Sequence, residues 1–369
     1  MLSVTVARFG GDEFVVLCDG VASEAEATEI GKRISAIAAT PFRLNGREHV
    51  VTLSIGIAIA HSRHTSAVEI LRDADAAMYE AKHAGRARTT VFVDSMRTSA
   101  VHRLETELAL RNGITHGELC LHYQPIFGID TGTLAGLEAL VRWNHPTDGL
   151  ISPADFISIA EETDLIVVLG EWVLTEACRQ VQTWRCAYPE FSGITVAVNL
   201  SGRQITEPSL IETVAGILEA SGLPPANLVL EVTESVLMAD AEAAVMVLHA
   251  LKNLGVRLSI DDFGTGYSSL SYLKKFPLDI LKIDRSFVDG LGTNDDDDAI
   301  VQATISIARS LGLQTVGEGV ETPAQLHALR RLRCDKAQGY LLGRPEPAEQ
   351  LIERLRQPGH HISPCTAAI

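Results

Sequence analysis

The second part of the chain alternates between β-rich runs and helical patterns, and this alternation constrains the fold more than any other feature. It is typical of a parallel sheet whose strands are connected by helices. The predicted strands are 119–126, 133–141, 194–200, 228–232, 256–260, 279–283, 314–317 and 337–341. The predicted helices are 153–162, 170–187, 207–220, 240–254, 296–311, 322–332 and 347–356. Only a short turn at 130–133 separates the first two strands, which should therefore pair antiparallel. We expect an α/β fold, a TIM-like (β/α)8 barrel with one antiparallel strand.

An acidic or amide side chain lies at or near the end of five of these runs: Glu138, Asn199, Glu231, Asp261 and Glu318. Active sites of such barrels lie at the carboxyl ends of the strands, so these side chains should converge. The adjacent Asp261 and Asp262 repel each other unless a cation neutralises them. Because the donors are hard oxygens, without His or Cys, we expect Mg²⁺ or Mn²⁺, with two ions sharing Asp261. This site predicts metal-assisted hydrolysis of a phosphodiester.

Two of these strand ends have a second interpretation. Glu138, Leu140 and Arg142 share one strand face, which suits a metal ion and a phosphate. The alternative is that a charged residue here only forms an ordinary ion pair with a neighbouring strand. Asn199 could ligate a cation through its amide oxygen, or it could simply form a turn.

Lys282 lies inside an apolar run, where an unpaired charge would be costly. It should therefore contact carboxylates or have a lowered pKa, and either behaviour suits a group that orients or deprotonates water. The alternative is a lysine whose ammonium reaches solvent at the strand end. Glu231 should point inward from its strand, whereas Glu234 should belong to the following loop and support the site from there.

Charge and composition exclude several classes of protein. The net charge of −16 lies almost entirely after residue 93, so the surface should repel a long nucleic acid. No apolar run reaches the roughly 18 residues of a membrane span, and no signal peptide is recognisable, so we expect a cytoplasmic location. The six cysteines show no CxxC pair and should be buried thiols. The acidic run Asp295–Asp298 should begin a solvated helix.

The first 93 residues show a different pattern. The predicted elements are a strand at 14–18, a helix at 24–39, a strand at 50–60, a helix at 67–83, a short strand at 90–93 and a connecting helix at 94–112. The expected organisation is a domain at 1–93, a linker helix at 94–112, a barrel at 113–358 and an unstructured tail at 359–369.

Residues 103–358 resemble the EAL domain of bacterial cyclic-di-GMP phosphodiesterases. The shared motifs are YQP (123–125), EALVRW (138–143), NLS (199–201), EVTES (231–235), DDFGTGYSSL (261–270), KID (282–284), GEGVE (317–321) and QGYLLGRP (338–345). One departure lies in the last motif, where Leu342-Gly343 replaces a more usual aromatic residue and serine.

The resemblance implies hydrolysis of cyclic-di-GMP to linear pGpG. The first-metal ligands it implies are Glu138, Asn199, Glu231 and Asp261, with Asp261 bridging to a second ion that Asp262 also holds. Lys282 is similar to the lysine that positions the hydrolytic water. Further implied contacts to metal, water or substrate come from Glu318, Gln338, Asp284, Gln124, Leu140, Arg142 and Ser201. Glu234 would order the loop at 261–269, near the interface of a homodimer formed through the barrel.

Residues 1–93 are similar to the C-terminal part of a GGDEF (diguanylate cyclase) domain. The motifs that show this resemblance are RFGGDEF at 8–14 and DADAAMY at 73–79. The chain begins seven residues before Arg8, so the first strand with its metal-binding aspartate is expected to be missing. The product-inhibition RxxD would fall at 1–4, where neither Arg nor Asp is present. We expect no cyclase activity, and poor order of the partial sheet or pairing with another chain.

Two other interpretations stay open. The barrel could be a non-catalytic cyclic-di-GMP receptor that signals to a protein partner, although such receptors usually lack one or more metal ligands. A two-activity enzyme would require further GGDEF sequence upstream of Met1.

Overall fold

A computed structural model of the chain describes residues 3–44, 47–60, 66–83, 85, 87–264 and 270–356. The predicted tail at 359–369 and residues 265–269 of the glycine-rich loop lie outside these ranges. The chain divides into two compact units, Met1–Thr106 and Glu107–Ile369. This boundary falls inside the predicted linker helix. The proposed domain limits themselves stay a prediction.

The first unit contains three small two-stranded sheets and two long helices. Its elements are β1 (Ser3–Gly10), β2 (Glu13–Asp19), α1 (Glu24–Ala38), β3 (Phe42–Leu44), β4 (Arg47–His49), β5 (Ile55–Ile57), α2 (Ala67–His83) and β6 (Thr89–Val91), and helix α3 (Asp94–His116) contains the boundary between the units. Strands β1 and β2 form an antiparallel hairpin, β3 and β4 a second, and β5 and β6 pair in parallel.

The sequence prediction for this unit needs two corrections. Strand β1 was not predicted, although it pairs with β2 along its whole length. The strand predicted at 50–60 is reduced to β5, because β6 offers a parallel partner over only three residues. Helix α2 has the predicted limits.

The second unit is the predicted barrel. Its strands are β7 (Leu119–Gly128), β8 (Leu134–His145), β9 (Gly149–Ile151), β10 (Thr195–Asn199), β11 (Leu228–Thr233), β12 (Arg257–Phe263), β13 (Ile280–Ile283), β14 (Gln314–Gly317), β15 (Lys336–Gln338) and β16 (Glu346–Pro347). Eight of them close a ring in the order β7-β8-β10-β11-β12-β13-β14-β15. Strand β7 is antiparallel to both β8 and β15, and the other ring contacts are parallel. The fold class is therefore confirmed, including the reversed strand.

The helices of this unit lie between the strands in sequence. They are α4 (Pro153–Glu162), α5 (Leu165–Ala187), α6 (Gly202–Ile205), α7 (Leu210–Ser221), α8 (Glu234–Ala239), α9 (Ala241–Asn253), α10 (Leu270–Leu273), α11 (Arg285–Asp289), α12 (Asp295–Ser310), α13 (Pro323–Arg331) and α14 (Ala348–Leu355), with two 3-10 turns at Pro189–Phe191 and Pro225–Asn227. A large apolar core fills the space between strands and helices. As predicted, the run Asp295–Asp298 forms the first turn of a helix, α12.

A second, small apolar cluster consists of Ile126, Ala197, Val229, Ile280 and Val316. Each of these residues is two positions from a polar side chain of the predicted site, and side chains two apart on a strand share a face. The polar partners are, in the same order, Gln124, Asn199, Glu231, Lys282 and Glu318. Period-two alternation thus places a layer of apolar side chains next to a layer of these polar side chains inside the barrel.

Several predicted boundaries differ from the structure. Strand β8 continues to His145 because it pairs with β9, a short strand that was not predicted. Strand β15 is shorter than predicted, at 336–338, so that Gln338 is its last residue. Glu234 was assigned to a loop, which is wrong: it begins helix α8.

The expectation for the cysteines is partly wrong. Cys178 and Cys334 are buried, and burial raises the pKa of Cys178 to about 12 and that of Cys334 to about 11. Cys18 and Cys120 are half-buried, however, and Cys186 is exposed. All five are free thiols, and Cys365 lies outside the described residues.

Among the described residues no helix combines the length and the hydrophobicity that a membrane span requires.

Candidate metal and substrate site

Lys282 lies at the centre of the carboxyl ends of the barrel strands, with 1% of its side chain exposed. Its Nζ is 2.7 Å from a carboxylate oxygen of Glu231 and 2.7 Å from one of Glu318. Asp261 follows at 3.2 Å and Glu138 at 3.7 Å. Of the three alternatives for this lysine, the structure shows contact with carboxylates.

Amide side chains form a second layer around Glu138. Asn199 donates from Nδ2 to Glu138 Oε1 at 2.9 Å, which leaves the Asn199 Oδ1 as an acceptor. Gln338 donates from Nε2 to Glu138 Oε2 at 2.6 Å and to Gln124 Oε1 at 2.9 Å. Gln124 donates in turn to the carbonyl of Gly343 at 3.0 Å. This chain of hydrogen bonds holds the Glu138 carboxylate in one orientation.

The two adjacent aspartates sit on an irregular part of β12. The register between β12 and β13 shifts between Ile260 and Phe263, and Asp262 has a positive φ of 55°. Aspartate tolerates this left-handed conformation at some cost, and such bulges redirect side chains near active sites. As a result, single oxygens of Asp261, Asp262 and Glu318 lie within 4.8 Å of one another.

Burial and mutual repulsion make these carboxylates hard to ionise without a cation. Burial raises the pKa of Glu318 to about 8 and that of Glu231 well above its usual range, although Lys282 opposes both shifts. Burial and the Asp261 charge raise the pKa of Asp262. Burial by itself would lower the pKa of Lys282, but the surrounding acids outweigh it and raise that pKa.

The donor set fits a pair of divalent cations. Five carboxylates (Glu138, Glu231, Asp261, Asp262 and Glu318) share the site with the single ammonium of Lys282, so four negative charges are uncompensated when all are ionised. Two divalent ions would neutralise these charges. All the donors are oxygens, which Mg²⁺ and Mn²⁺ prefer.

The residues assigned to substrate lie around this centre. Leu140 and Arg142 are half-buried on β8, and Arg142 donates to the carbonyl of Val141 at 2.8 Å. Among the described residues Arg142 forms no ion pair, and Glu138 pairs with Lys282 of β13, which is not a neighbour of β8, so an ordinary cross-strand pair is not formed. Ser201 is half-buried at the start of α6, and Asp284 caps α11 by accepting from Ser286 N at 3.0 Å. The functional roles of these residues stay predictions.

Glu234 is 2% exposed, and its Oε2 accepts a hydrogen bond from Gly264 N at 3.0 Å. It therefore contacts the start of the loop that follows Asp261 and Asp262. The rest of that loop, at 265–269, lies outside the described residues.

Sequence reasoning missed Gln204, a buried residue whose side chain accepts from the backbone N–H of Ser201 at 3.1 Å. The signal was present, since Ser-x-x-Gln at the start of a helix is a capping box. Gln204 lies on helix α6 and not on a barrel strand, so the period-two pattern of the strands could not reveal it.

The family model described as the EAL domain matches residues 107–345. The chain belongs to the EAL family. A second family model, described as diguanylate cyclase, GGDEF domain, matches residues 2–88. In the first unit the GGDEF sequence occupies the tip of the β1–β2 hairpin, where Arg8 donates from Nε to the carbonyl of Gly11 at 2.9 Å.

Similar proteins come from Pseudomonas aeruginosa. The bifunctional diguanylate cyclase/cyclic di-GMP phosphodiesterase MucR is 45% identical over 94% of this EAL-family chain and 50% of its own length. The cyclic di-GMP phosphodiesterase NbdA is 42% identical over 96% of the chain and 45% of its own length. The chain thus spans about half the length of the curated relatives it matches. The solved PaMucR phosphodiesterase, in complex with c-di-GMP, is 49% identical with a TM-score of 0.65, covering 67% of this chain and 99% of that chain.

Gly343, the noted departure in the last EAL motif, has a packing reason. A Cβ at this position would lie 2.5 Å from Pro125 Cγ and 2.8 Å from Arg354 Nη2. We therefore expect Gly343→Ser to cost about 1–3 kcal/mol of stability through overpacking. Because the Gly343 carbonyl accepts from Gln124, the variant should also displace the Gln124 side chain. Thermal denaturation measures the change in stability. Gly193→Ser, where a Cβ meets no atom within 4 Å, is the matched control; equal melting temperatures for the two variants would contradict the packing argument.

Proposed function

We propose that this chain hydrolyses cyclic-di-GMP to linear pGpG. The observation that carries the proposal is the set of five carboxylates gathered around the buried Lys282, since every predicted ligand is present. The similarity to MucR, NbdA and the c-di-GMP complex of PaMucR supports the same substrate.

Mg²⁺ or Mn²⁺, as two ions, would be held by Glu138, Asn199, Glu231, Asp261, Asp262 and Glu318. When bound, such ions acidify water and stabilise negative charge on the phosphate oxygens. The carboxylates contribute by remaining ionised and fixed, and Asn199 contributes an uncharged oxygen whose orientation is set by its bond to Glu138.

The remaining residues bind the substrate and orient the attacking water. The Arg142 guanidinium offers paired donors to a phosphate, with Gln124, Leu140, Ser201, Asp284 and Gln338 completing the substrate contacts. Lys282 is held by Glu231 and Glu318 at 2.7 Å each, and its third N–H donates to Asp261 over a longer 3.2 Å. That third N–H would turn from Asp261 to orient the attacking water. In the reaction the water oxygen bonds to phosphorus, one P–O3′ bond breaks, and the 3′ oxygen leaves with a proton. The product is a linear dinucleotide with a 5′ phosphate.

The other predictions about this chain belong to the proposal as well. We propose a homodimer through the barrel, in which Glu234 orders the loop at 261–269, and a cytoplasmic location. The first unit is proposed to have no cyclase activity.

Glu138→Ala tests the proposal. This variant removes the acceptor for both Asn199 and Gln338 as well as a metal ligand. We expect kcat/KM to fall about 10³-fold, because metal ligation contributes several kcal/mol to the transition state and each 1.4 kcal/mol is tenfold. Chromatography of the products with Mg²⁺ or Mn²⁺ measures it.

Glu219→Ala, on the exposed face of α7, is the control and should behave as wild type. If the wild-type chain binds cyclic-di-GMP but forms no pGpG with either metal, the enzyme proposal is wrong and the chain is a non-catalytic receptor.

A further inference from the structure

Helix α5 contains a buried glycine, Gly170, as its sixth residue. Glycine destabilises a helix interior, so its presence in a helix of 23 residues requires a packing reason. The reason is the side-chain amide of Gln204 on α6, which lies directly against the Gly170 Cα. A Cβ at residue 170 would overlap with the Nε2 of Gln204 and lie 2.5 Å from its Cδ.

The carboxamide of Gln204 is 4% exposed and turned toward Ser201. Its Oε1 accepts from the backbone N–H of Ser201 at 3.1 Å and from the Ser201 hydroxyl at 3.0 Å. The Ser201 Oγ accepts from the backbone N–H of Gln204 at 3.2 Å. Three hydrogen bonds therefore hold one serine, two residues after Asn199.

These three bonds respond differently to a ligand. When the Ser201 hydroxyl donates to a phosphate oxygen, only its bond to Gln204 Oε1 is lost. The Oγ still accepts from Gln204 N, and Oε1 still accepts from Ser201 N–H. Gln204 thus keeps Ser201 in place while its proton turns to the substrate, so little ordering is needed on binding.

We propose that Gln204, held flat against Gly170, is a positioning residue that fixes Ser201 for a phosphate oxygen of the substrate and so sets KM rather than kcat. This inference rests on the proposed function, in which Ser201 contacts the substrate. It assigns a role to Gln204 and Gly170, which are not among the proposed metal ligands.

The test is a double-mutant cycle. Gln204→Ala should raise KM for cyclic-di-GMP about tenfold, the effect of losing one or two buried hydrogen bonds, with kcat within about twofold of wild type. Ser201→Ala should give the same pattern. Gly170→Ala should raise KM because its methyl group displaces the carboxamide. The double variant should be no worse than Gln204→Ala, because the methyl group then occupies the space that the carboxamide leaves.

Gly216→Ala on α7 is the matched control, since a Cβ there meets no atom within 4 Å. A merely structural role would lower the melting temperature and kcat and leave KM unchanged, and additive KM effects in the cycle would exclude coupling; either result overturns the inference.

Calorimetric titration with cyclic-di-GMP measures Kd and so tests the role of Gln204 independently of hydrolysis. A tenfold higher Kd of Gln204→Ala supports the inference even if the wild type forms no pGpG, in which case the proposed function alone fails. Hydrolysis by the wild type with unchanged KM and Kd in Gln204→Ala overturns the inference alone.

Discussion

Lys282→Ala should lower kcat for cyclic-di-GMP by about 10²–10⁴-fold, the range found when a positioned proton-transfer group is removed. The ammonium contacts four carboxylates and is the positive charge at the centre of the site. In the proposed mechanism its loss removes the donor that orients water, but it removes no metal ligand. Divalent cations should therefore still bind, which isothermal titration with MnCl₂ measures beside the kinetic assay.

The same variant should be unstable without metal. A buried carboxylate cluster that loses its counter-ion costs about 3–5 kcal/mol, so the melting temperature should fall and be restored by Mg²⁺ or Mn²⁺. Lys274→Ala, on an exposed position near α10, is the control. Loss of metal binding in proportion to activity would show that Lys282 only holds the site together.

Asp261→Asn should reduce kcat about 10³-fold and change the number of bound metal ions. The Asp261 carboxylate lies 3.2 Å from Lys282, and one of its oxygens is within 4.8 Å of Asp262 and Glu318 oxygens, as its proposed role as a ligand shared by two ions requires. A neutral amide bridges two cations poorly, and the loss of several kcal/mol of charge stabilisation corresponds to about three orders of magnitude. Metal stoichiometry by calorimetry and product formation by chromatography are the measurements.

The matched control for this variant is Asp289→Asn, in which the aspartate forms an exposed ion pair with Arg285 on α11. Exposed pairs contribute little, so activity and stoichiometry should be unchanged. If Asp261→Asn binds two ions with unaltered affinity, Asp261 is not a bridging ligand.

The barrel and the convergence of its polar side chains were predictable because both follow from period-two alternation. Val229 with Glu231, and Ile280 with Lys282, repeat one pattern on different strands, so their convergence needed only the closed ring. The alternatives for Lys282 could not be separated from sequence, since they depend on how close the acids of other strands come. Only the three-dimensional structure shows the 2.7 Å contacts with Glu231 and Glu318.

Other features were unpredictable for physical reasons. The acids of GEGVE look equivalent in sequence, yet Glu318 turns inward to Lys282 whereas Glu321 pairs with Arg285 outside the cluster at 2.9 Å. The positive φ of Asp262 follows from a register shift between strands, which is a non-local property. Gly170 reads as a poor helix residue until Gln204 is placed against it.

The reversal of β7 determines where the polypeptide enters the barrel. In a barrel of parallel strands alone, the first strand starts at the face opposite the chemistry. Here Leu119, the first residue of β7, lies beside Trp143 near the carboxyl end of β8, and Gln124 is only five residues further along the strand. The last turns of α3, where Leu110 is buried, therefore lead the chain directly to the face of the barrel on which the carboxylates cluster. Within this unit the polypeptide therefore reaches the face with the clustered carboxylates before it reaches the opposite face of the barrel.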